Sequence, residues 1–323
     1  MVYNFENEAA WITAAKTRPL KVGPGPKPDP SENEVVIEVA YAAVNPTDYK
    51  MQDTPYFELQ YPFIFGTDVA GTVVQLGSNV TRFKIGERRY TTCLEILVAP
   101  VPDSLPLANA AVLPLSLSTA ASGLFVQLGL PFPSLNPTPI GKTILIWGGS
   151  SSCGSSAIQL AVAAGLTVVT TASRSNFEYV KSLGASQVFD HKDPNIVEDI
   201  QKVLKPNDVV MDCIGSAETQ VACGKILGQL GGGKLPILLW PQGPFPENVQ
   251  GVIVNGLDPG LVNLDVGDAV WRQYIPKALA AGKFQAKPDP LIIKGGLEKV
   301  QEGIDLLKAG VSAKKVVVEI SAE

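Results

Sequence analysis

The sequence predicts an α/β protein in which a doubly wound nucleotide-binding domain is inserted into a β-rich domain. Three observations predict this arrangement: residues 1–110 contain short strands between proline and glycine turns, residues 143–254 alternate strands with helices, and residues 285–323 return to strand character. Alternating strands and helices are typical of a parallel sheet covered by helices on both faces. We therefore predict one domain at 1–110 with 285–323, and a second at 111–284.

The predicted elements follow from apolar periodicity and from turn residues. A long apolar helix covers 108–128 with an interruption at Pro114, and a loop with four prolines follows at 131–139. The predicted strands are 34–40, 69–76, 143–146, 166–171, 184–192, 208–213, 234–239, 251–254, 291–293 and 315–320, and the other predicted helices are 155–164, 177–183, 270–281 and 297–309.

The segment from Thr143 to Gly154 (TILIWGGSSSCG) predicts a pyrophosphate-binding turn. An apolar strand leads into a glycine- and serine-rich turn, which leads into a helix. Backbone N–H groups at such a helix N-terminus point toward a phosphate, and the helix dipole favours its negative charge. The turn lacks a strict G-x-G-x-x-G pattern, and Ser155 stands where a P-loop requires lysine, so an ordinary strand-to-helix turn is the alternative.

The end of the next strand predicts which nucleotide is bound. An NAD enzyme carries Asp or Glu there to hold the ribose 2′-hydroxyl, but Ser173, Arg174, Ser175 and Asn176 follow this strand, with no carboxylate. Guanidinium, hydroxyl and amide groups suit a 2′-phosphate, so we predict NADPH; Ser and Asn could equally cap a helix. His191, the chain's single histidine, ends the third strand and is a candidate phosphate contact or an ordinary surface residue.

Composition excludes several classes of protein. A net charge of −5 argues against nucleic-acid binding, and no apolar run approaches the ~18 residues of a membrane span. Four dispersed cysteines without a C-x-x-C motif, and an acidic N-terminus unlike a signal peptide, favour a cytoplasmic protein. One histidine and scattered cysteines do not provide a zinc-ligand set, and no G-x-S-x-G motif supports a hydrolase. We therefore predict no metal.

Five segments resemble the medium-chain dehydrogenase/reductase superfamily: NPTD at 45–48, GTDVAGTV at 66–73, AAVLP at 110–114, the glycine turn, and AKKVVV at 313–318. Zinc members carry Cys near the first segment and His-Glu in the second, where this chain has Asn45 and Thr67-Asp68. The chain thus resembles the zinc-free quinone and enoyl reductase branch. The stretches WGGSSSCG, SRSN and NPTDYKM are most similar to fungal trans-acting enoyl reductases of the lovastatin and ToxD-like type.

The resemblance implies a Rossmann domain within a GroES-like catalytic domain and NADPH-dependent reduction of an activated C=C bond. Lys50 and Thr119 are implied as the catalytic donors to the carbonyl oxygen, and Tyr49 is a weak candidate proton donor; taken alone, Lys50 would be a solvated lysine and Thr119 an ordinary helix hydroxyl. The implied cofactor contacts are Thr47, Asp48, Tyr49 and Lys50 at the nicotinamide half, Ser151, Ser152, Cys153 and Gly154 at the pyrophosphate, Ser173, Arg174, Ser175, Asn176 and His191 at the 2′-phosphate (His191 standing where the family usually has Tyr), and Leu238, Leu239, Ile292 and Ile293 near the nicotinamide and the cleft.

Three functions stay open: an enoyl reductase for a small-molecule or carrier-bound enoyl chain, with a polyketide synthase as the partner; a zinc-free quinone or small-enone oxidoreductase; and a cofactor-binding scaffold without turnover. We expect a monomer, although the strand at 251–254 could pair edge to edge in a homodimer. One departure from the family is the direct junction of 86–88 with 89–92, where the family carries a longer loop. Either the substrate side is more open here, or a mobile segment is missing from the sequence.

Overall fold

A computed structural model describes residues 7–54, 59–91 and 95–321. The chain divides into two compact units: the first comprises Met1–Pro114 and Asp289–Glu323, and the second comprises Leu115–Pro288. The predicted α/β fold class, with one unit inserted into the other, is confirmed. The domain boundaries given in the sequence analysis stay a prediction.

The elements of the described residues are as follows. The strands are β1 Glu8–Ile12, β2 Lys21–Pro24, β3 Val35–Ala43, β4 Phe63–Ile64, β5 Asp68–Leu76, β6 Arg88–Thr91, β7 Ala99–Pro100, β8 Thr143–Trp147, β9 Thr167–Ala172, β10 Gln187–Asp190, β11 Val209–Asp212, β12 Gly233–Ile237, β13 Val249–Ile253, β14 Asp289–Lys294 and β15 Lys314–Glu319. The helices are α1 Pro46–Asp53, α2 Leu107–Ala110, α3 Pro114–Ala121, α4 Ser152–Ala163, α5 Phe177–Ser182, α6 Ile196–Gln201, α7 Ala217–Gln229, α8 Asp258–Leu261, α9 Leu264–Gly267, α10 Ile275–Ala280 and α11 Val300–Ala309, with π-helical segments at Ser122–Gln127 and Asp268–Tyr274.

The first unit is built on two sheets, one in the order β2-β1-β4 and one in the order β14-β15-β3-β5-β6-β7. Only β14 and β15 pair in parallel in the larger sheet; its other described neighbours are antiparallel. A buried apolar cluster that includes Ile12, Val44, Ile304 and Val316 lies in this unit. The β-rich prediction missed α1, which begins where Asn45 supplies an N-cap and Pro46 the first helical position.

The second unit is a six-stranded parallel sheet in the order β10-β9-β8-β11-β12-β13. This is the doubly wound order of a dinucleotide-binding domain. Its strands are apolar along their length because helices cover both faces, and Leu145, Val210, Leu235 and Ile237 lie in one buried cluster. The carboxyl ends of β8, β9 and β10, which lie side by side, position the residues that the sequence assigns to the cofactor.

The predicted helix at 108–128 corresponds to the helical region from Leu107 to Gln127, which comprises α2, α3 and the first π-helical segment and is interrupted at 111–113, just before Pro114. Proline is favourable at this position, the first residue of α3, because its missing N–H would have no partner in the helix. By length and composition this helix could span a membrane, but 78% of its most apolar stretch is buried inside the protein. Within the described residues it is therefore a core helix of the fold.

Candidate active site

The turn between β8 and α4 has the geometry of a phosphate site. Ser151 is the N-cap of α4, and its Oγ accepts a hydrogen bond from the Gly154 N–H at 3.0 Å. The helix therefore begins at Ser152, three residues earlier than predicted. The N–H groups of Ser152 and Cys153 have no acceptor among the described residues, as expected for a first helical turn. These two donors and the helix dipole provide a site for an anionic group.

Three glycines allow this turn to pack closely against the strand and the helix on either side of it. A Cβ atom at Gly154 would lie 2.2 Å from the Gly148 carbonyl oxygen, and one at Gly149 would lie 2.2 Å from Thr170 Oγ1. Gly148 also has a φ of +83°, which side-chain-bearing residues rarely adopt. The glycines thus permit close packing of the turn against the helix start and the second strand, as a dinucleotide site requires. The pyrophosphate of a nicotinamide nucleotide fits this cradle.

The ends of β9 and β10 bring polar side chains together. These strands pair in parallel with Asp190 opposite Ala172, so Ser173 and Arg174 lie beside His191. Ser173 Oγ and His191 Nε2 are 3.1 Å apart, and the Arg174 side chain is 79% exposed. Ser175 is exposed and Asn176 half-buried in the short turn that follows.

A carboxylate that sequence reasoning missed joins this group. Arg174 Nε donates to Asp190 Oδ2 at 2.7 Å, and the backbone N–H of Lys192 donates to Asp190 Oδ1 at 3.1 Å. The hydrogen bond from Arg174 is the main reason that the Asp190 pKa lies below its usual range. No carboxylate follows β9 itself, as the sequence analysis states; this one comes from the neighbouring strand.

The four apolar positions assigned to the cofactor lie in different units. Leu238 and Leu239 directly follow β12 and are half-buried. Ile292 and Ile293 belong to β14 at the edge of the larger sheet of the first unit. Ile293 packs against the core of that unit, whereas Ile292 is 41% exposed. Of this pair, Ile292 is the residue available to a ligand.

Thr119 lies on α3, one turn before the helix widens into a π-helical segment. Its side chain is half-buried, and its hydroxyl has no hydrogen-bond partner among the described residues, so it does not bond back to a helix carbonyl. Gly256 packs directly on it, since a Cβ there would lie 2.6 Å from Thr119 Oγ1. Ser122, where the π-helical segment begins, also has a buried and unpartnered hydroxyl. Such segments occur frequently at functional sites.

Helix α1 presents the residues predicted at 47–50 in two directions. Thr47 is exposed and Lys50 is half-buried, whereas Asp48 is buried and Tyr49 packs on the core of the first unit. Lys50 has no ion-pair or hydrogen-bond partner for its ammonium within the described part of the chain, and burial lowers its pKa. A half-buried cation without a partner is available to stabilise negative charge on a ligand.

The start of α1 belongs to a buried polar network that was not predicted. Asn45 Nδ2 donates to Asp68 Oδ2 at 2.9 Å, and the Asn45 Oδ1 accepts from the Lys315 ammonium. Lys315 also pairs with Asp68 at 3.1 Å, with both side chains almost completely buried. The backbone N–H of Asn45 donates to Asp48 Oδ2 at 2.7 Å. Burial raises the pKa of Asp48 to about 7, and the charge of Asp68 contributes.

This network does not suit zinc. A zinc site needs three or four converging Cys, His or carboxylate ligands, whereas Asn45, Thr67 and Asp68 stand at the positions that the resemblance assigns to metal ligands. The Lys315 ammonium already pairs with the one carboxylate of these three. Across residues 7–54, 59–91 and 95–321, no group of three or more His, Cys, Asp or Glu could hold a metal ion.

Comparison with known proteins identifies the family. The family profile of the alcohol dehydrogenase GroES-like domain matches residues 31–100, and that of the zinc-binding dehydrogenase matches residues 153–258. A trans-enoyl reductase of Aspergillus japonicus, himH, is 67% identical over 334 residues that cover 98% of each chain. The chain belongs to the medium-chain dehydrogenase/reductase superfamily. The resemblance stated from the sequence is thereby confirmed.

Other relatives place the chain within this superfamily. The trans-enoyl reductase tndF of Aspergillus flavipes is 32% identical, with 98% of this chain and 99% of that protein covered. The alignment with himH extends over 334 positions, more than the 323 residues of this chain. The relative therefore has residues without a counterpart here.

Solved structures share the fold. An alcohol dehydrogenase superfamily protein from Novosphingobium aromaticivorans has a TM-score of 0.79 at 24% identity, with 97% of this chain and 99% of that chain covered. The CurK enoyl reductase has a TM-score of 0.76 at 19% identity, with the same coverage. At this identity the likeness concerns the fold. As a member of the superfamily, this protein is an oxidoreductase that uses a nicotinamide cofactor.

Proposed function

We propose that this protein is an NADPH-dependent trans-acting enoyl reductase, which reduces the C=C bond of an α,β-unsaturated carbonyl compound during polyketide assembly. The observation that carries the proposal is Lys50, a half-buried ammonium without a partner in the described residues. Such a cation stabilises an oxyanion and has no evident structural role. The 67% identity with a trans-enoyl reductase supports the choice of reaction.

The proposed chemistry depends on charge stabilisation at the carbonyl oxygen. The bound nicotinamide supplies a hydride for the β-carbon of the substrate. Negative charge then develops on the carbonyl oxygen, and fixed donors aimed at that oxygen lower the barrier. We assign Lys50 as the charged donor and Thr119 as the hydroxyl donor, because neither group has another partner in the described chain. The α-carbon takes its proton from water, since Tyr49 packs on the core of its unit.

NADPH rather than NADH is proposed from the ends of β9 and β10. Arg174 uses its Nε for Asp190, so its terminal nitrogens can form a planar fork on the 2′-phosphate. Ser173 and His191 add donors beside it. Asp190 lies at the end of the third strand rather than the second, where an NAD enzyme carries its ribose-binding carboxylate. It therefore orients Arg174 instead of accepting from the ribose.

The proposed substrate is an enoyl group on a small molecule or on a carrier, handed over by a polyketide synthase. We further propose a cytoplasmic monomer. The free thiols of Cys153, Cys213 and Cys223 support a reducing compartment. β13 lies at the edge of the parallel sheet and would be the pairing strand of a dimer.

Substrate trials with the purified protein test this function. Consumption of NADPH is followed with an enoyl thioester, a quinone and a small enone in parallel. Faster turnover of the thioester, with reduction of its C=C bond in the isolated product, is expected. Preference for the quinone would replace the proposal with a general oxidoreductase. Binding of NADPH without turnover of any of the three would indicate a scaffold instead.

A further inference from the structure

A buried lysine in the last strand stands out because the three strand residues that follow it are apolar and buried. Lys315 is 3% exposed and is followed by Val316, Val317 and Val318, which are at most 1% exposed. Burial of an ammonium is unfavourable unless the charge is paired and hydrogen-bonded. Here the pairing is complete: Lys315 donates to Asn45 Oδ1 and lies 3.1 Å from Asp68 Oδ2.

Asn45 connects this lysine to α1. Its side chain contacts both Lys315 and Asp68, and its backbone N–H donates to Asp48 Oδ2 at 2.7 Å. Asn45 is also the N-cap of α1, so its position sets where the helix begins. Thr47 and Lys50 follow within the first turn and a half. Lys315 therefore contacts the N-cap residue of the helix that carries Lys50.

Helix α1 depends on anchors at its two ends. It has 8 residues, fewer than the ~12–15 that an isolated helix needs for stability in water. At its C-terminal end, Gln52 donates to Gln301 at 2.8 Å, and Asp53 pairs with Lys308 at 2.7 Å. At its N-terminal end the anchor is the buried network around Asn45. Lys50 lies between the two anchors.

We propose that Lys315 is a positioning residue of the reaction, acting through Asn45 to fix the N-terminal end of α1 and thereby the ammonium of Lys50. The inference rests on the proposed function for its kinetic part. Its structural part, the anchoring of α1, depends on the contacts of Lys315 and Asn45 and not on any reaction. Removal of the buried cation takes away the partner of Asn45 Oδ1 and weakens the anchor of the helix start, so Lys50 is held less firmly against the developing charge.

The test uses a charge-neutral pair of substitutions. Lys315→Met alone leaves the buried Asp68 carboxylate without its cationic partner, which destabilises a fold strongly, whereas removal of both charges of a buried pair is often tolerated. The variant Lys315→Met with Asp68→Asn is therefore compared with the wild type. Lys314→Met is the matched control, because Lys314 is the adjacent lysine, is 45% exposed and pairs only at 3.6 Å with Asp289.

Turnover is measured in a double-mutant cycle with Lys50→Met. We expect kcat to fall about 10- to 100-fold in the Lys315/Asp68 variant, with NADPH affinity unchanged, because oriented donors are worth this much. In the Lys50→Met background the same change should have no further effect, since residues that act as a unit are non-additive. Lys314→Met should match the wild type. A folded Lys315/Asp68 variant with wild-type kcat, or full additivity with Lys50→Met, would overturn the proposal.

Amide hydrogen exchange gives a readout that needs no turnover. The amides of α1 should exchange faster in the Lys315/Asp68 variant, while those of β8 and β11 in the second unit stay protected. Unchanged protection of α1 would refute the anchor. If the wild-type protein reduces no enoyl substrate, the proposed function fails, but this exchange experiment still decides the role of Lys315 in α1.

Discussion

Replacement of Arg174 by alanine tests the cofactor assignment. The Arg174 side chain uses its Nε for Asp190, and its terminal nitrogens have no partner among the described residues. Those nitrogens are the ones assigned to the 2′-phosphate. Arg174→Ala removes them without touching the turn at 148–154. NADPH affinity should therefore fall, while NADH affinity, which involves no such phosphate, should stay the same.

The size of the effect follows from the exposure of the side chain. A hydrogen bond to a charged group contributes ~1.5–3 kcal/mol, but exposed ion pairs typically contribute only ~0.2–1 kcal/mol. Because the Arg174 side chain is 79% exposed, we use the lower end of the first range, ~1.5 kcal/mol, for its bidentate contact with the phosphate. Each ~1.4 kcal/mol corresponds to a tenfold change in Kd. We expect NADPH to bind about tenfold more weakly. The charge of Asp190, no longer paired, adds to this loss.

Isothermal titration calorimetry with NADPH and NADH on each variant is the assay. Arg174→Lys keeps the charge but loses the planar fork, so it should fall between the wild type and alanine. Lys202→Ala removes another exposed cation of the second unit, at the C-cap of α6, and is the control. Equal losses for NADPH and NADH, or no loss for either, would refute the assignment of Arg174 to the 2′-phosphate.

Three further predictions concern Lys50, Thr119 and Asp48. Lys50→Met should lower kcat/KM about 100-fold with an unchanged Kd for NADPH; steady-state kinetics that match the wild type would remove Lys50 from the mechanism. Gly256→Ala places a Cβ 2.6 Å from Thr119 Oγ1 and should lower kcat on the order of 10- to 100-fold. Gly23→Ala, whose added Cβ has no atom within 4 Å, should leave kcat unchanged. If the two variants have the same kcat, Thr119 is excluded as a donor. The pKa of Asp48 is about 7 in the folded protein and 3.8 ordinarily. Between these two values the folded state keeps a proton that the unfolded state has lost. The free energy of unfolding should therefore decrease as the pH rises from about 4 to about 7, by up to ~4 kcal/mol. Urea unfolding of the wild type and of Asp48→Asn across this pH range is the measurement, and the variant should lack this part of the decrease in the free energy of unfolding. The same pH dependence in both proteins would contradict the raised pKa.

Local patterns in the sequence predicted the core of the fold. The apolar strand and glycine turn at 143–154, and the strands that follow it, depend on residues close together in the chain, and the structure places strands there as β8 to β13. Helix α1 escaped prediction because its eight residues include Pro46, Thr47 and Asp48, which are poor helix formers in isolation. Its N-cap and its tertiary anchors make it a helix.

Contacts distant in the sequence escaped prediction for a different reason. Asn45 and Lys315 are 270 positions apart, and Arg174 meets Asp190 only through the parallel register of β9 and β10. Neither pairing leaves a periodic signal. One signal was present: Lys315 begins an apolar strand sequence, KVVV, in which a charged residue requires a buried partner.

Transfer of deuterium tests the central claim most directly. The wild-type protein, treated with a metal chelator, is given NADPH that carries deuterium at C4 of the nicotinamide, on either face in separate reactions, together with an enoyl thioester. We expect one deuterium at the β-carbon of the saturated product with one of the two labelled forms, at a rate that the chelator does not change. A saturated product without label from either form, or activity that is lost with the chelator and restored by zinc, would contradict the account.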